Sequence, residues 1–167
     1  MQPGRAFVPQ GMKDEQVKNG GEGSGNFGHS GRPGEVGGSG PGGASIKIKP
    51  YNTRPGAPSH GGNYTIHDEN GKEIGHASAV FEHKDQNYPF SGFVPAGTGV
   101  IDSIELYSNK QRGKGLGTYF LKNIESDAKK SGIVRMRATS VMPDSERFWE
   151  KMGYAPTGKG RIWEKKL

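Results

Sequence analysis

Cysteine is absent from the 167-residue chain, which excludes disulfides, thiolate metal sites and a thiol nucleophile. Long apolar runs are absent too, and none approaches the roughly 20 residues that a membrane-spanning helix needs. The opening Met-Gln-Pro-Gly-Arg lacks the apolar stretch of a signal peptide. The expectation is a soluble protein made in the cytoplasm, with no membrane partner. Bulky apolar residues are scarce over 1–44, where Phe7, Val8, Val17, Phe27 and Val36 stand apart among fourteen glycines. Such a segment cannot bury enough apolar surface to offset the entropy of ordering it. It reads as a flexible Gly-rich arm (1–44) ahead of one domain (45–167), whose length of about 120 residues suffices for a single core. The arm has no net charge, because Arg5, Lys13, Lys18 and Arg32 balance Asp14, Glu15, Glu22 and Glu35. The formal charge of +6 therefore falls on the domain. A basic domain suits an anionic ligand, but no nucleic-acid motif accompanies the charge, so nucleic acid is not the expected partner.

From residue 44 onward apolar residues recur with a period. Ile46 and Ile48 alternate with Lys47 and Lys49, as on an edge strand. Residues 51–62, with Pro55, Pro58 and several glycines, read as a loop. Two strand-like runs, 63–66 and 74–81, flank Asp68-Glu69-Asn70-Gly71, a hairpin turn. Residues 101–107 predict a strong strand. Over 115–130, Leu116, Phe120, Leu121, Ile124 and Ala128 form one apolar stripe at helical spacing, with Lys129 and Lys130 in the last turn and Gly132 beyond it. A strand over 133–138, a short helix over 145–152 and a last strand over 161–166 complete the pattern.

The informative phrase lies between the strong strand and the long helix. It is Gln111-Arg112-Gly113-Lys114-Gly115-Leu116-Gly117-Thr118. Alternating glycines allow a tight turn with its N–H groups directed outward. A helix N-terminus adds further donors and a partial positive charge, so the segment suits a diphosphate. Arg112 and Lys114 add full charges. No Gly-Lys-Ser/Thr with the Walker lead-in is present, and no Rossmann-like strand ending in an acid follows. Taken alone, the phrase is equally compatible with a plain strand-to-helix connection.

The order strand, Arg112 to Gly117, amphipathic helix, strand, and then Phe148-Trp149-Glu150-Lys151-Met152-Gly153-Tyr154 resembles the GNAT superfamily of N-acetyltransferases. That family carries a Q/R-x-x-G-x-G/A motif, here Arg112, Gly115 and Gly117, and an aromatic-rich segment like the one at 148–154. The resemblance is carried by 101–167, with the 63–82 hairpin fitting more loosely. It implies an α/β (α+β) fold with a mixed, mostly antiparallel sheet, a main helix after the turn and a short C-terminal helix. It implies acetyl-CoA as co-substrate, with its pyrophosphate on Gln111, Arg112, Gly113, Lys114, Gly115, Leu116, Gly117 and Thr118. Pantetheine would lie in a gap between splayed strands, pairing with Leu106, Tyr107 and Ser108. A small-molecule or protein amine would attack the thioester directly.

Three features depart from the family pattern. Many relatives have a Tyr acid where Trp149 stands, and an indole N–H is not usefully acidic. Some carry a Glu base where Arg135 stands. Replacement bases are Glu105, Glu82, His83 and Asp102, with Glu105 ranked first because it precedes the pantetheine-pairing stretch. The two helices usual between the family's first strands do not fit into 51–62, so those helices are reduced or absent. The loop over 83–100, with Tyr88, Pro89, Phe90, Phe93 and Pro95, is apolar enough to cover the open side instead. The alternative is a catalytically degenerate binding module. The phrase at 26–34 also resembles a segment of proteins encoded near tailed-phage head genes, which implies phage structural partners for the arm and association with the virion.

Overall fold

The computed structural model describes residues 39–167 except 52, 53, 55, 90 and 91. The expected arm and its phage-like phrase lie outside the described residues up to 38.

Seven strands form one sheet. They are β1 (Ser45–Pro50), β2 (Ser59–His67), β3 (Glu73–Glu82), β6 (Thr98–Leu106), β7 (Arg135–Ala138), β9 (Trp163–Lys166) and β8 (Ala155–Pro156), in that spatial order. Every pairing is antiparallel except β6 with β7. A separate hairpin consists of β4 (Gln86–Tyr88) and β5 (Gly92–Val94). Two helices follow, α1 (Leu116–Lys130) and α2 (Glu146–Lys151). The expected mixed, mostly antiparallel architecture is what the chain forms.

Local chemistry explains the element ends. Asp68 Oδ1 accepts the N–H groups of Asn70 and Lys72, both at 2.9 Å, and closes the β2–β3 turn. The stripe expected on α1 is buried along its length. The helix stops where Gly132 N–H reaches Lys129 O and Ile133 N–H reaches Ala128 O, each at 3.0 Å, so that two terminal carbonyls are satisfied and Ile133 is buried. α2 ends the same way, with Tyr154 N–H on Trp149 O at 3.0 Å.

One cluster of buried side chains joins both helices to the sheet, with Tyr64, Ile66, Ala77, Phe81 and Met136 meeting Phe120, Ile124 and Trp149. At its edges polar clamps take over. Tyr64 donates to Asp127 on α1 at 2.6 Å. Lys165 Nζ on β9 lies 3.0 and 2.9 Å from the two oxygens of Glu125, which also accepts Tyr154 at 3.0 Å. Tyr154 is thus a core residue, as expected.

The structure corrects the reading of 51–62 as a loop throughout. β2 begins at Ser59, and Gly61 and Gly62 lie inside it. A Cβ at Gly61 would stand 2.2 Å from Ala79 O, and one at Gly62 would stand 2.6 Å from Lys49 O. These glycines serve close strand approach rather than a turn. β6 also begins three residues before the expected strand. Residues ahead of the expected domain start pack as well: Ala44 is in the core, and a 3-10 turn at Pro41–Gly43 precedes it.

Candidate active site

β6 and β7 run side by side only from Thr98 opposite Arg135 to Ile101 opposite Ala138. One more bond, from Thr139 N–H to Ile101 O at 3.2 Å, ends the contact. β6 continues to Leu106 paired only with β3. The cause of the parting is visible in the register. Ser78 faces Ser103 and Ala79 faces Ile101, so Asp102 is an extra residue on β6. A bulge of this kind bends its strand and increases the local twist. Beyond it, the β6 edge that faces β7 has no backbone partner among the described residues.

The chain leaves β6 through Tyr107 and Ser108, passes a 3-10 turn at Asn109–Gln111 and enters α1. Gly113 and Gly115 have φ of 75° and 76°, a region that side chains rarely adopt. Gly117 is needed for a different reason: a Cβ there would meet the Phe148 ring at 3.3 Å, so the glycine lets α2 approach α1. The first N–H to find a backbone acceptor is that of Tyr119, on Gly115 O at 2.9 Å. Among the described residues, those of Gly113, Lys114, Gly115, Leu116, Gly117 and Thr118 have none. Arg112 and Lys114 are exposed beside them, and Gln111 Oε1 is buried without a partner. Six N–H groups without a backbone acceptor among the described residues, two cations and a helix N-terminus give this turn the chemistry to hold a diphosphate.

The remaining expected cofactor residues border the gap. Leu106 is half-buried against the core. Tyr107 is exposed and donates to Glu73, which pushes its phenol up to about 12. Ser108 Oγ accepts Lys110 N–H at 3.2 Å. Glu105 is exposed and pairs across the ladder with His76. Trp149 lies in the core, edge-on to Phe148 and Tyr154.

The sheet face opposite α1 carries no helix among the described residues. The β4–β5 hairpin covers it instead. Tyr88 on β4 donates to Glu82, and Arg137 on β7 donates to Phe93 O at 3.0 Å. Val94, Val80 and Val100 are buried outside the main cluster. The described residues of the loop expected over 83–100 therefore form a flap on the sheet face opposite α1. Beneath it lies a polar group that the sequence only named piecemeal. Glu82 is 0 % exposed and accepts Ser59 Oγ at 2.5 Å as well as Tyr88. Tyr51 donates to Asn63 at 2.5 Å and lies 3.2 Å from Ser78 Oγ. Burial, with the Glu82 charge behind it, pushes Asp102 up to about 7. His83 sits apart, edge-on to His60 at 4.8 Å, its charged form disfavoured first by burial and then by His60. Strand register brings this group together, and a β-bulge has no signature in a run such as Ile101-Asp102-Ser103-Ile104.

Comparison with known proteins places this architecture. The profile of the acetyltransferase (GNAT) family matches residues 45–154. No curated protein matches the chain. Among solved structures, an acetyltransferase from Bacillus cereus superposes with a TM-score of 0.51 at 23% identity, covering 66% of this chain and 75% of that one. A protein from Klebsiella pneumoniae named as an acyl-CoA N-acyltransferase gives 0.51 at 17% identity, covering 69% and 77%. At these identities the superpositions speak for a shared fold. With the profile spanning β1 to β7, the glycine turn and both helices, the chain belongs to the GNAT family of acetyltransferases.

Proposed function

We propose that the chain is an acyl-CoA-dependent N-acyltransferase that moves acetyl from acetyl-CoA to an amine by direct attack. The observation that carries this reading is a coincidence of place. β6 parts from β7 beyond Ile101, and the chain then enters a turn with six N–H groups that have no backbone acceptor among the described residues. The gap suits an extended pantetheine arm, which would pair with the free edge at Leu106, Tyr107 and Ser108. The turn from Gln111 to Thr118 would hold the pyrophosphate, with Arg112 and Lys114 neutralising it. In the transfer, the amine nitrogen forms a bond to the thioester carbonyl carbon, the C–S bond breaks, and coenzyme A leaves as the thiolate.

Calorimetric titration of acetyl-CoA tests the reading. Wild type should bind, and Gly115→Glu, which sets a carboxylate and a side chain at a left-handed position, should not. An absence of heat and of thermal shift with wild type refutes the assignment. One observation favours a second reading, in which the domain binds acetyl-CoA without turning it over: the position of the family's Tyr acid holds the core residue Trp149. Binding without thiol release across a panel of amines would select it.

A further inference from the structure

The phosphate turn leaves the acidic group under the hairpin unexplained. Glu82 lies wholly inside, fixed by the hydroxyls of Ser59 and Tyr88. Asp102, the extra residue of the bulge, stands on the same face of the sheet, most of it buried. The ionisable groups directed to this face include Glu82 on β3, Tyr88 on β4, Tyr51 after β1, Lys47 and Lys49 on β1, Arg135 and Arg137 on β7, Glu164 and Lys166 on β9, and Glu105 and His76 further along. Arg137 is held by Glu164, with Nε at 2.8 Å from Oε1. The influences on Asp102 are burial and the negative charge of Glu82, and both favour its protonated form. A chain of formal charge +6 thus keeps a buried acidic pair, roofed by a flap, on the strand that borders the cofactor gap.

We propose that Asp102 accepts the proton of an aliphatic ammonium acceptor and that Glu82 is the positioning residue that sets when it does so. This rests on the acyl-transfer reading. An alkylamine has a pKa of about 10.4, so only about one molecule in 2,500 is neutral at pH 7. A buried acidic pair attracts the ammonium form, and a carboxylate whose affinity for protons is raised toward neutrality can accept its proton efficiently. The step balances. Asp102 takes one proton from the ammonium and later yields it to water. The freed nitrogen bonds to the acetyl carbon as the C–S bond breaks, and the second amine proton ends on the coenzyme A thiolate. Glu105, exposed to solvent, has no such surroundings.

The experiment uses the full-length chain, acetyl-CoA and two probe amines, 1,4-diaminobutane and aniline, with thiol release followed from pH 5 to 9. The alkyl diamine should be the better acceptor, and kcat/KM should rise with pH on a limb near 7. Asp102→Asn should lower thiol release about 100-fold or more, the usual scale for a lost general base, while acetyl-CoA binding by calorimetry stays within twofold. Glu82→Gln should move the acidic limb to lower pH, because removal of a neighbouring negative charge lets Asp102 lose its proton sooner. A carbon-13 titration of the wild-type Asp102 carboxyl needs no variant and should give a midpoint near 7. An ordinary carboxylate midpoint, a preference for aniline, an unmoved limb in Glu82→Gln, or Asp102→Asn within threefold of wild type would each overturn the proposal. Binding of acetyl-CoA with no thiol release would overturn it too, whereas failure to bind acetyl-CoA at all would strike the acyl-transfer reading beneath it.

Discussion

Replacing Asp102 by Asn should stabilise the fold at alkaline pH while impairing the proposed reaction. The unfolded chain releases the Asp102 proton near the ordinary 3.8, and the folded protein holds it to about 7. Between these values the folded state binds more protons than the unfolded state, so stability falls as pH rises. The penalty is absent below about 4 and complete above about 7. A shift of this size corresponds to roughly 4 kcal/mol. Water that still reaches a side chain left partly open reduces this to about 2 kcal/mol. The asparagine variant has no such penalty. Urea unfolding, followed by the fluorescence of the core residue Trp149, should therefore find the variant more stable than wild type by about 2 kcal/mol at pH 8, with a smaller advantage at pH 5. Comparing variant with wild type at each pH cancels the titration of other groups. An advantage equal at the two pH values within about 0.5 kcal/mol, or larger at pH 5, would refute the reasoning.

The Glu125–Lys165 pair, closed by Tyr154, should be a coupled clamp between α1 and β9. Lys165→Met should cost about 2 kcal/mol by stranding a nearly buried carboxylate, and Glu125→Leu in the same chain should recover much of it; simple additivity in a urea double-mutant cycle would deny the coupling. Gly40→Leu tests the segment ahead of the sheet, since a Cβ at Gly40 would lie 2.4 Å from the Tyr119 ring and Pro41 borders the site of Gly115. Displacing this segment should weaken acetyl-CoA binding about fivefold, equivalent to about 1 kcal/mol; unchanged calorimetric affinity would show that it does not support the turn.

Elements whose physics is local were legible in the sequence. The stripe from Leu116 to Ala128 follows from helical spacing, and Gly132 and Gly153 end their helices as left-handed caps should. The turn from Gly113 to Thr118 was readable for the same reason, because its glycines and charges act on neighbours in the chain. Features that depend on pairing were not. Gly61 and Gly62 look like loop residues until Ala79 and Lys49 are placed against them. The β4–β5 hairpin has short strands and no alternating pattern, and it is held by contacts to Glu82 and Val94's buried position rather than by its own propensity. Glu105 ranked above Asp102 because it precedes the stretch expected to pair with pantetheine, and an ideal strand would set the two on opposite faces. The slipped register brings them to one face, and burial near Glu82 then separates Asp102 from the exposed Glu105.

That slip links the two halves of the proposed site. By inserting one residue opposite β3, the chain bends β6 away from β7 and frees the edge beyond Ile101. Counted from Ile101, alternation already sets Asp102 on the face under the hairpin; the insertion turns Ser103 to that face as well and returns Ile104 to the core. A flat, regular β6 would continue its ladder with β7, closing the gap, and would direct the next side chains differently. The parting of β6 from β7 and the return of Ile104 to the core therefore belong to one backbone event, next to the carboxylate of Asp102. The missing helices fit the same logic, since the hairpin that replaces them is fastened through Tyr88 to the carboxylate that acts on Asp102. The flap is thus tied to the acidic pair through Tyr88 and Glu82.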